Sequence, residues 1–181
     1  MTLPIRMVRV KGSDPDVYAR HVVAHVAESG REGAPHFAIA RTFHREEVRD
    51  HLLVRLLREL DEPLWGRAWM LLDEHERAVG HLELRGGRVP AEMHRATLGM
   101  GIMTPHRRAG NGRRLVETAI AWAREANLAW IDLGVFSGNE PARRLYAAMG
   151  FRAIGTREDA FRLDAGVAVD DVMMVLPLRS P

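Results

Sequence analysis

Glycines and arginines alternate between two apolar segments in residues 99–115, and this stretch holds the side chains best suited to bind an anion. Gly110 and Gly112 are flanked by the arginine pairs 107–108 and 113–114. A strand, a glycine turn and a helix in this order leave main-chain N–H groups unpaired at the helix start, and the helix dipole makes that end positive. Arginine side chains add charge-assisted hydrogen bonds to phosphate oxygens. The stretch therefore predicts a phosphate or pyrophosphate site, with a ligand-free tight turn as the alternative.

Two other nucleotide-binding patterns do not fit this stretch. Asp132 lies about 20 residues beyond the glycines, where an acidic residue contacts ribose in dinucleotide-binding folds. However, Leu115 stands in place of the third glycine of that fingerprint, and Asp132 lies inside an apolar run instead of ending it. No Gly-Lys-Ser/Thr sequence occurs, so a P-loop is excluded as well.

A second motif follows the glycine turn. Residues 135–151 read Val-Phe-Ser-Gly-Asn-Glu-Pro-Ala-Arg-Arg-Leu-Tyr-Ala-Ala-Met-Gly-Phe. Together with Arg107-Arg-Ala-Gly-Asn-Gly112, it resembles the GNAT superfamily of acyl-CoA-dependent N-acetyltransferases. Members of that family pair an Arg/Gln-x-x-Gly-x-Gly/Ala loop with an Asn-x-x-Ala-x-x-Leu-Tyr-x-x-x-Gly-Phe segment. The clear similarity covers residues 79–155, and Asp170-Asp-Val-Met-Met resembles a closing strand of many members, whereas residues 1–66 match by element order only.

The resemblance implies that acetyl-CoA is the co-substrate and that its pantetheine arm lies between two splayed strands, one before and one after the loop. Ile102 and Thr104 would contact the arm through main-chain groups, and Asn139 would face the pantetheine or pyrophosphate, or act only as a helix cap. The expected cofactor-binding residues are Ile102, Met103, Thr104, Arg107, Arg108, Ala109, Gly110, Asn111, Gly112, Arg113, Arg114 and Asn139.

Tyr146 lies seven residues after Asn139, which on a helix is nearly the same face two turns along. The resemblance gives its phenol the task of protonating the departing CoA thiolate; the alternative is a half-buried core tyrosine. Many relatives carry a glutamate in the strand before the loop, but this sequence reads Arg-Ala-Thr-Leu-Gly at 95–99. Glu83 and His94 are the candidate general bases, although each also fits a solvated position.

Hydrophobic periodicity predicts the elements that position these residues. Apolar spacing and turn residues indicate strands at about 5–10, 68–72, 78–84, 95–104, 128–136, 151–155 and 172–176, and helices at about 14–29, 45–60, 115–126 and 140–149. The order is β-α-α-β-β-β-α-β-α-β-β. We expect an α+β (mixed α/β) fold, a single GNAT-like domain over residues 1–181. Its mostly antiparallel sheet would have about seven strands, with a splayed pair and about four flanking helices. Residues 1–66 would form the acceptor side, and residues 67–181 the acetyl-CoA-binding core.

Composition narrows the class of protein further. The 181 residues are 46% hydrophobic and 28% charged, as in an ordinary globular domain. No cysteine is present, so disulfides and thiol catalysis are excluded. Of 26 Lys and Arg residues only Lys11 is lysine, the net charge is +2, and no long basic run occurs, which argues against nucleic-acid binding.

His21 and His25 are four apart but lack a third ligand, so no metal is expected. A signal peptide and membrane span are not indicated.

Together with this composition, the resemblance implies a cytoplasmic acyltransferase that moves the acetyl group of acetyl-CoA directly to a primary amine. The acceptor is left open between a small molecule and a protein N-terminus or lysine, and a homodimer is left open too. We expect no nucleic-acid, membrane or metal partner. The alternative is a non-catalytic acyl-CoA-binding or regulatory module on the same fold, which would use the glycine turn but would have no use for the acid Tyr146.

Overall fold

The computed structural model describes residues 5–11, 14–28, 44–162 and 167–178, and in them the chain forms seven strands and four helices. The strands are β1 (Arg6–Arg9), β2 (Gly66–Leu72), β3 (Ala78–Gly86), β4 (Arg95–Ile102), β5 (Trp130–Phe136), β6 (Arg152–Arg162) and β7 (Ala168–Pro177). The helices are α1 (Pro15–Glu28), α2 (Arg45–Leu57), α3 (Asn111–Glu125) and α4 (Glu140–Ala148). The predicted element order and the α+β class are confirmed.

All seven strands lie in one sheet in the order β1-β2-β3-β4-β5-β7-β6. Within the described part of the chain, every pairing is antiparallel except that of β4 with β5, which is parallel. This pair is joined only at residues 95–97 and 130–132. Beyond that point β4 runs on to Ile102 and β5 to Phe136, and among the described residues neither strand has a partner on the side that faces the other. The predicted splayed pair is therefore present, and we call the space between residues 98–102 and 133–136 the gap.

The two faces of the sheet are covered by different helices. On one face, Leu115, Val116 and Ala119 of α3 pack in the same core as Leu82 and Leu84 of β3. On the other face, apolar side chains of α1 and α2 meet those of β2, namely Tyr18, Val22, Leu52, Ala68 and Met70. Burying a leucine as completely as Leu52 contributes about 2 kcal/mol to the stability of the fold. Each helix is therefore held on the sheet mainly by the apolar side chains on its inner face.

Several element ends differ from the sequence prediction, and three of the differences have a clear physical reason. Helix α2 ends at Leu57, because Arg58 is extended (ψ 143°), whereas the apolar spacing extended the prediction to Leu60. Strand β4 ends at Ile102, and Thr104–His106 forms a 3₁₀ turn instead of more strand. Strand β6 reaches Arg162 instead of Gly155, because it is an edge strand whose mostly exposed residues give no apolar alternation.

Candidate active site

The glycine turn forms the start of α3. Gly110 is the residue that precedes the helix and has φ +80°, a left-handed conformation that favours glycine. A Cβ atom built on Gly110 would meet no atom within 4 Å, so the space in front of the helix start is open. Asn111 is buried, and its Nδ2 donates to the His106 carbonyl oxygen at 2.9 Å, which holds the turn. The unpaired N–H groups of the first helical turn therefore border an open cradle that suits an anion.

The four arginines of the turn have different surroundings. Arg107 donates from Nε to the Ile102 carbonyl oxygen at 2.8 Å and lies 3.4 Å from Glu28, so it holds the end of β4. Arg114 donates to the Ile5 carbonyl oxygen at 2.9 Å. Arg108 and Arg113 are exposed, and the nearest carboxylate to Arg113, that of Glu117, is 3.7 Å away.

Gly112 lies where α3 passes close to both β4 and α4. A Cβ atom at this position would lie 2.9 Å from Leu145 Cδ2 and 3.6 Å from Met100 Cε. Such a short contact requires Leu145 to move. The missing side chain at Gly112 therefore serves the packing of α3, whereas Gly110 leaves the cradle open.

Main-chain groups of β4 face the gap. The Met103 N–H donates to the Val79 carbonyl oxygen at 3.0 Å. Because antiparallel strands direct alternate residues to alternate sides, the main-chain groups of Leu98, Met100 and Ile102 point to the gap. The predicted contact residue Ile102 thus faces the gap, although its carbonyl oxygen already accepts the bond from Arg107.

Thr104 has a partner that the sequence did not indicate. Its N–H donates to Glu28 Oε1 at 2.7 Å, and its hydroxyl donates to the same oxygen. Burial raises the pKa of Glu28, but the bonds from Thr104 and the Arg107 cation outweigh it and hold that pKa below its usual value. Glu28 is therefore a carboxylate that ties the end of α1 to the end of β4.

Asn139 and Tyr146 lie at the start and in the last turn of α4. The Asn139 side chain accepts from the Ala142 N–H at 3.3 Å, as a helix cap does. Tyr146 is 7% exposed, and its ring packs 5.7 Å from that of Phe151. Burial raises the pKa of Tyr146 well above its usual value of about 10, so the phenol keeps its proton. The hydroxyl forms no hydrogen bond with any residue that the structure describes.

Of the two candidate bases, the structure brings Glu83 to the gap but not His94. Glu83 of β3 pairs in register with Gly99 of β4, and its Oε1 lies 2.7 Å from Arg55 Nε. His94 is exposed and precedes β4 at the end remote from the glycine turn. Four residues of extended chain separate it from Leu98, the nearest residue of the gap, roughly 13 Å at 3.3 Å per residue.

Three glycines line the gap on the α1/α2 face. Gly99 and Gly101 of β4 and Gly134 of β5 supply no side chains there. His25 and His81 cover Gly101, because a Cβ atom on this glycine would meet His25 Cε1 at 2.3 Å and His81 Cε1 at 2.7 Å. The Asp171 carboxylate covers Gly134 in the same way. Neither His81 nor Asp171 was among the residues expected from the sequence.

His21 completes a buried histidine cluster with His25 and His81. Its Nδ1 must carry the proton that it donates to the Ala78 carbonyl oxygen at 3.0 Å, so its Nε2 accepts from His81 Nδ1, also at 3.0 Å. Burial lowers the pKa of His21 to about 4 and that of His81 well below its usual value. These two imidazoles are therefore neutral at pH 7. Within the described ranges, no group of three or more His, Asp or Glu side chains is arranged to hold a metal ion.

The open cradle beside a splayed strand pair agrees with the geometry that the sequence resemblance implies. The family model described as "Acetyltransferase (GNAT) family" matches residues 20–151. The chain therefore belongs to the GNAT acetyltransferase family, and the protein is an acyltransferase by family. No curated protein matches the sequence. In the part of the chain that the structure describes, no helix is long and apolar enough to cross a membrane.

Solved structures support the same fold. A GCN5-related N-acetyltransferase from Kribbella flavida has TM-score 0.76 and 21% identity, covering 96% of this chain and 97% of that one. The yncA protein of Salmonella typhimurium, solved with its cofactor acetyl-CoA, has TM-score 0.78 and 18% identity, covering 98% and 95%. A ribosomal-protein-alanine N-acetyltransferase from Brucella melitensis has TM-score 0.77 and 18% identity, covering 95% and 99%.

Proposed function

We propose that this protein transfers the acetyl group of acetyl-CoA directly to a primary amine. The observation that carries the proposal is the gap between β4 and β5, which opens beside the cradle at Gly110. A phosphate-bearing ligand with a long, narrow arm suits this combination, because the cradle takes an anion and the gap offers unpaired main-chain groups. The yncA protein, which shares the fold, was solved with acetyl-CoA.

In this proposal the pyrophosphate lies in front of α3, with Arg108 and Arg113 supplying cations. The pantetheine arm runs along β4 and hydrogen-bonds the main chain of Met100 and Leu98. The thioester carbonyl then lies in the gap, open to the α1/α2 face. Residues 1–66, including α1 and α2, form much of the acceptor side.

The chemistry requires no covalent enzyme intermediate, and the chain has no cysteine that could form a thioester. The amine nitrogen attacks the thioester carbonyl carbon, and the carbon–sulfur bond breaks. We propose that the Tyr146 hydroxyl gives its proton to the departing thiolate, which suits a phenol that stays protonated. Glu83 borders the acceptor side, and His94 is not retained as a base because it is remote from the gap.

The acceptor is a small-molecule amine, a lysine or a protein N-terminus. The Brucella melitensis neighbour, a ribosomal-protein-alanine N-acetyltransferase by name, keeps the last class open. A cytoplasmic location also belongs to the proposal, and the lack of cysteine fits it.

Thiol release from acetyl-CoA, measured against a panel of amines, tests the proposal. The panel holds polyamines, aminoglycosides, free amino acids and peptides with free N-termini. We expect release with at least one primary amine, together with the acetylated product by mass spectrometry. Tight binding of acetyl-CoA without release for any amine would instead support the non-catalytic binding module.

A further inference from the structure

Three acidic side chains point to the α1/α2 face around the gap, and two of them are closely paired with arginine. Glu83 lies 2.7 Å from Arg55. Asp132 accepts from Arg95 with both oxygens, at 2.7 Å and 2.5 Å. Among the residues that the structure describes, the one cation that forms an ion pair with the third, Asp171 of β7, is Arg157, at 3.7 Å. Asp171 therefore differs from the other two in having no cation at hydrogen-bonding distance.

Asp171 is buried although no group in the described ranges donates a hydrogen bond to its carboxylate. Its side chain is 10% exposed. Water reaches this carboxylate only through the small exposed part of its side chain, so a charged donor that comes to it gains a charge-assisted hydrogen bond. Burial raises the pKa of Asp171 and the Arg157 cation opposes this, with burial dominating.

Arg157 does not fill the position of the missing donor. Its guanidinium carbon lies 5.0 Å from the centre of the Phe161 ring, and its side chain is 58% exposed. Stacking on Phe161 holds this cation against a side chain of its own strand, β6, beyond hydrogen-bonding distance of the carboxylate. The carboxylate of Asp171 is thus left available on the side of the gap.

The Asp171 carboxylate lies beside the part of the gap that is lined by glycines. A Cβ atom on Gly134 would lie 2.6 Å from Asp171 Oδ2 and 2.7 Å from Oδ1, so both oxygens lie over the β5 main chain. Continuing the register from the pair Thr97 and Asp132 brings Gly134 level with Gly99 across the gap. Because both residues are glycines, no side chain of β4 or β5 at this level stands between Asp171 and the gap.

We propose that Asp171 binds the ammonium group of the acceptor and accepts its proton. This inference rests on the proposed function and identifies the substrate as an amine that binds in its charged form. Glu83 and Asp132 are less suited to the task because each already neutralises an arginine at short distance.

The proton balance is complete with the groups named. One N–H proton of the ammonium moves to an Asp171 oxygen, and the nitrogen lone pair forms the bond to the carbonyl carbon. The carbon–sulfur bond breaks, and the thiolate takes the Tyr146 proton. The second N–H proton, lost as the amide forms, restores Tyr146. Asp171 returns its proton to solvent, so one proton is released for each acetyl group transferred.

The test compares Asp171→Asn with Asp170→Asn. Asp170 is the adjacent residue, so its side chain points to the opposite side of β7, where it accepts from the Asp159 N–H at 2.9 Å. The probe is the primary amine that gives the highest rate in the panel. At pH 7.5 we expect kcat/KM for this amine to fall roughly a hundredfold or more in Asp171→Asn and less than threefold in Asp170→Asn. The affinity for acetyl-CoA, by calorimetry, should stay within threefold in both variants.

A pH series separates proton transfer from a purely structural role. As the pH rises toward the amine's own pKa, about 10 for an alkylammonium group, the amine loses its proton in solution and the deficit of Asp171→Asn should shrink. Arg157 on β6 lies 3.7 Å from Asp171, and His25 and His81 lie over Gly101 on the other strand of the gap. Asp132 on β5 stays paired with Arg95. The pKa of His81 lies far below this range, so His81 does not titrate in the series.

Asp171→Glu covers the case in which the asparagine variant does not fold, because it keeps a carboxylate one methylene further out. We expect it to retain more activity than Asp171→Asn. A deficit in Asp171→Asn that is absent at pH 7.5, or that stays constant from pH 7 to pH 10, overturns the inference. Wild-type protein that binds acetyl-CoA but releases no thiol with any amine overturns the proposed function, and this inference with it.

Discussion

At the scale of single residues, burial decides the protonation state of the Tyr146 phenol. The phenol is held in the core next to Phe151, and burial raises its pKa well above the usual value. A group that is always protonated can donate to a thiolate at any pH at which the amine reacts. The same burial makes it a weak acid, so close approach of the sulfur is needed for the transfer.

We predict that Tyr146→Phe lowers kcat by roughly ten- to ten-thousandfold and leaves the Kd for acetyl-CoA within threefold. The ring packing against Phe151 is kept, so the melting temperature should change little. In the wild type, the Tyr146 phenol should stay protonated between pH 8 and pH 10, so its ionisation should not lower kcat in this range. Unchanged kcat with reduced stability would mean that Tyr146 only fills the core.

The arginines of the glycine turn provide a second prediction at this scale. Arg108→Ala and Arg113→Ala should each weaken acetyl-CoA binding roughly three- to thirtyfold, because both side chains are exposed beside the cradle. Arg114→Ala should change it less than twofold, since that guanidinium bonds the Ile5 carbonyl oxygen. Arg144→Ala removes the same charge from the exposed face of α4 and serves as the control.

Calorimetry with CoA and with dephospho-CoA measures these effects. A variant that loses affinity for CoA but not for dephospho-CoA identifies the arginine that contacts the ribose phosphate. Equal losses for both ligands indicate a pyrophosphate contact instead. If Arg114→Ala proves as harmful as Arg108→Ala, the side chain of Arg114 must leave Ile5 when the ligand binds.

Which residues could be predicted from the sequence depends on how local their partners are. The glycine turn and the Asn139 cap are set by neighbours within a few residues, so a motif was enough to find them. The bond from Thr104 to Glu28 joins residues 76 positions apart, and nothing local indicates it. The sequence gives only a weak indication of Asp171. Asp170 and Asp171 are adjacent in an apolar strand, so their side chains must point to opposite faces and one of them faces inward.

At the scale of elements, the two glycines of the turn meet different structural requirements. Gly112 lets α3 approach α4, whereas Gly110 keeps the helix start open. A charged residue at Gly112 would therefore disturb packing as well as binding. Gly110 is the better position for testing electrostatics alone.

We predict that Gly110→Asp weakens acetyl-CoA binding roughly tenfold more than Gly110→Asn does. Both side chains are the same size, both tolerate a positive φ better than most, and both can cap a helix. Only aspartate places a negative charge where the pyrophosphate would lie, and this charge should favour the helix itself. Calorimetry and thermal melts check this, and equal affinities for the two variants would move the phosphates elsewhere.

The elements themselves could be predicted to different degrees. Strands and helices with a strong apolar period, such as β3 and α3, were expected within a few residues of where they lie. The length of β6 was not, because an exposed edge strand needs no apolar face. The end of β4 was also missed: apolar and β-forming residues continue to Thr104, whereas Pro105 and the contact between Glu28 and Thr104 end the strand.

At the scale of the whole molecule, α1 joins two parts of the sheet, namely β3 and the segment that follows β4. Its His21 and His25 lie against His81 of β3, and its Glu28 bonds the segment that follows β4. The buried histidines have no room for hydration, so the folded state holds at least His21 and His81 neutral. Stability should therefore depend on pH through this cluster.

We predict that the free energy of unfolding falls as the pH drops from 7 toward 4. The pKa of His21 is about 4 in the folded protein and about 6.5 in the unfolded chain, so the unfolded state binds more protons between these values. The contribution of neutral His21 to the free energy of unfolding is complete above about pH 7, and it is smaller by about 2 kcal/mol at pH 5. His81, lowered in the same direction, adds to this loss. Urea unfolding at pH 7.5, 6 and 5 measures it.

The variant His21→Asn isolates the contribution of His21, because an asparagine amide can still donate to the Ala78 carbonyl oxygen but does not titrate. We expect it to be less stable than the wild type at pH 7.5, since ring contacts with His81 are lost, yet to lose about 2 kcal/mol less on going to pH 5. His51→Asn, at an exposed position of α2, should leave the pH dependence unchanged. If His21→Asn and the wild type lose equal stability on acidification, protons must enter the folded cluster without unfolding it, and α1 would then be less tightly closed over the sheet than its burial indicates.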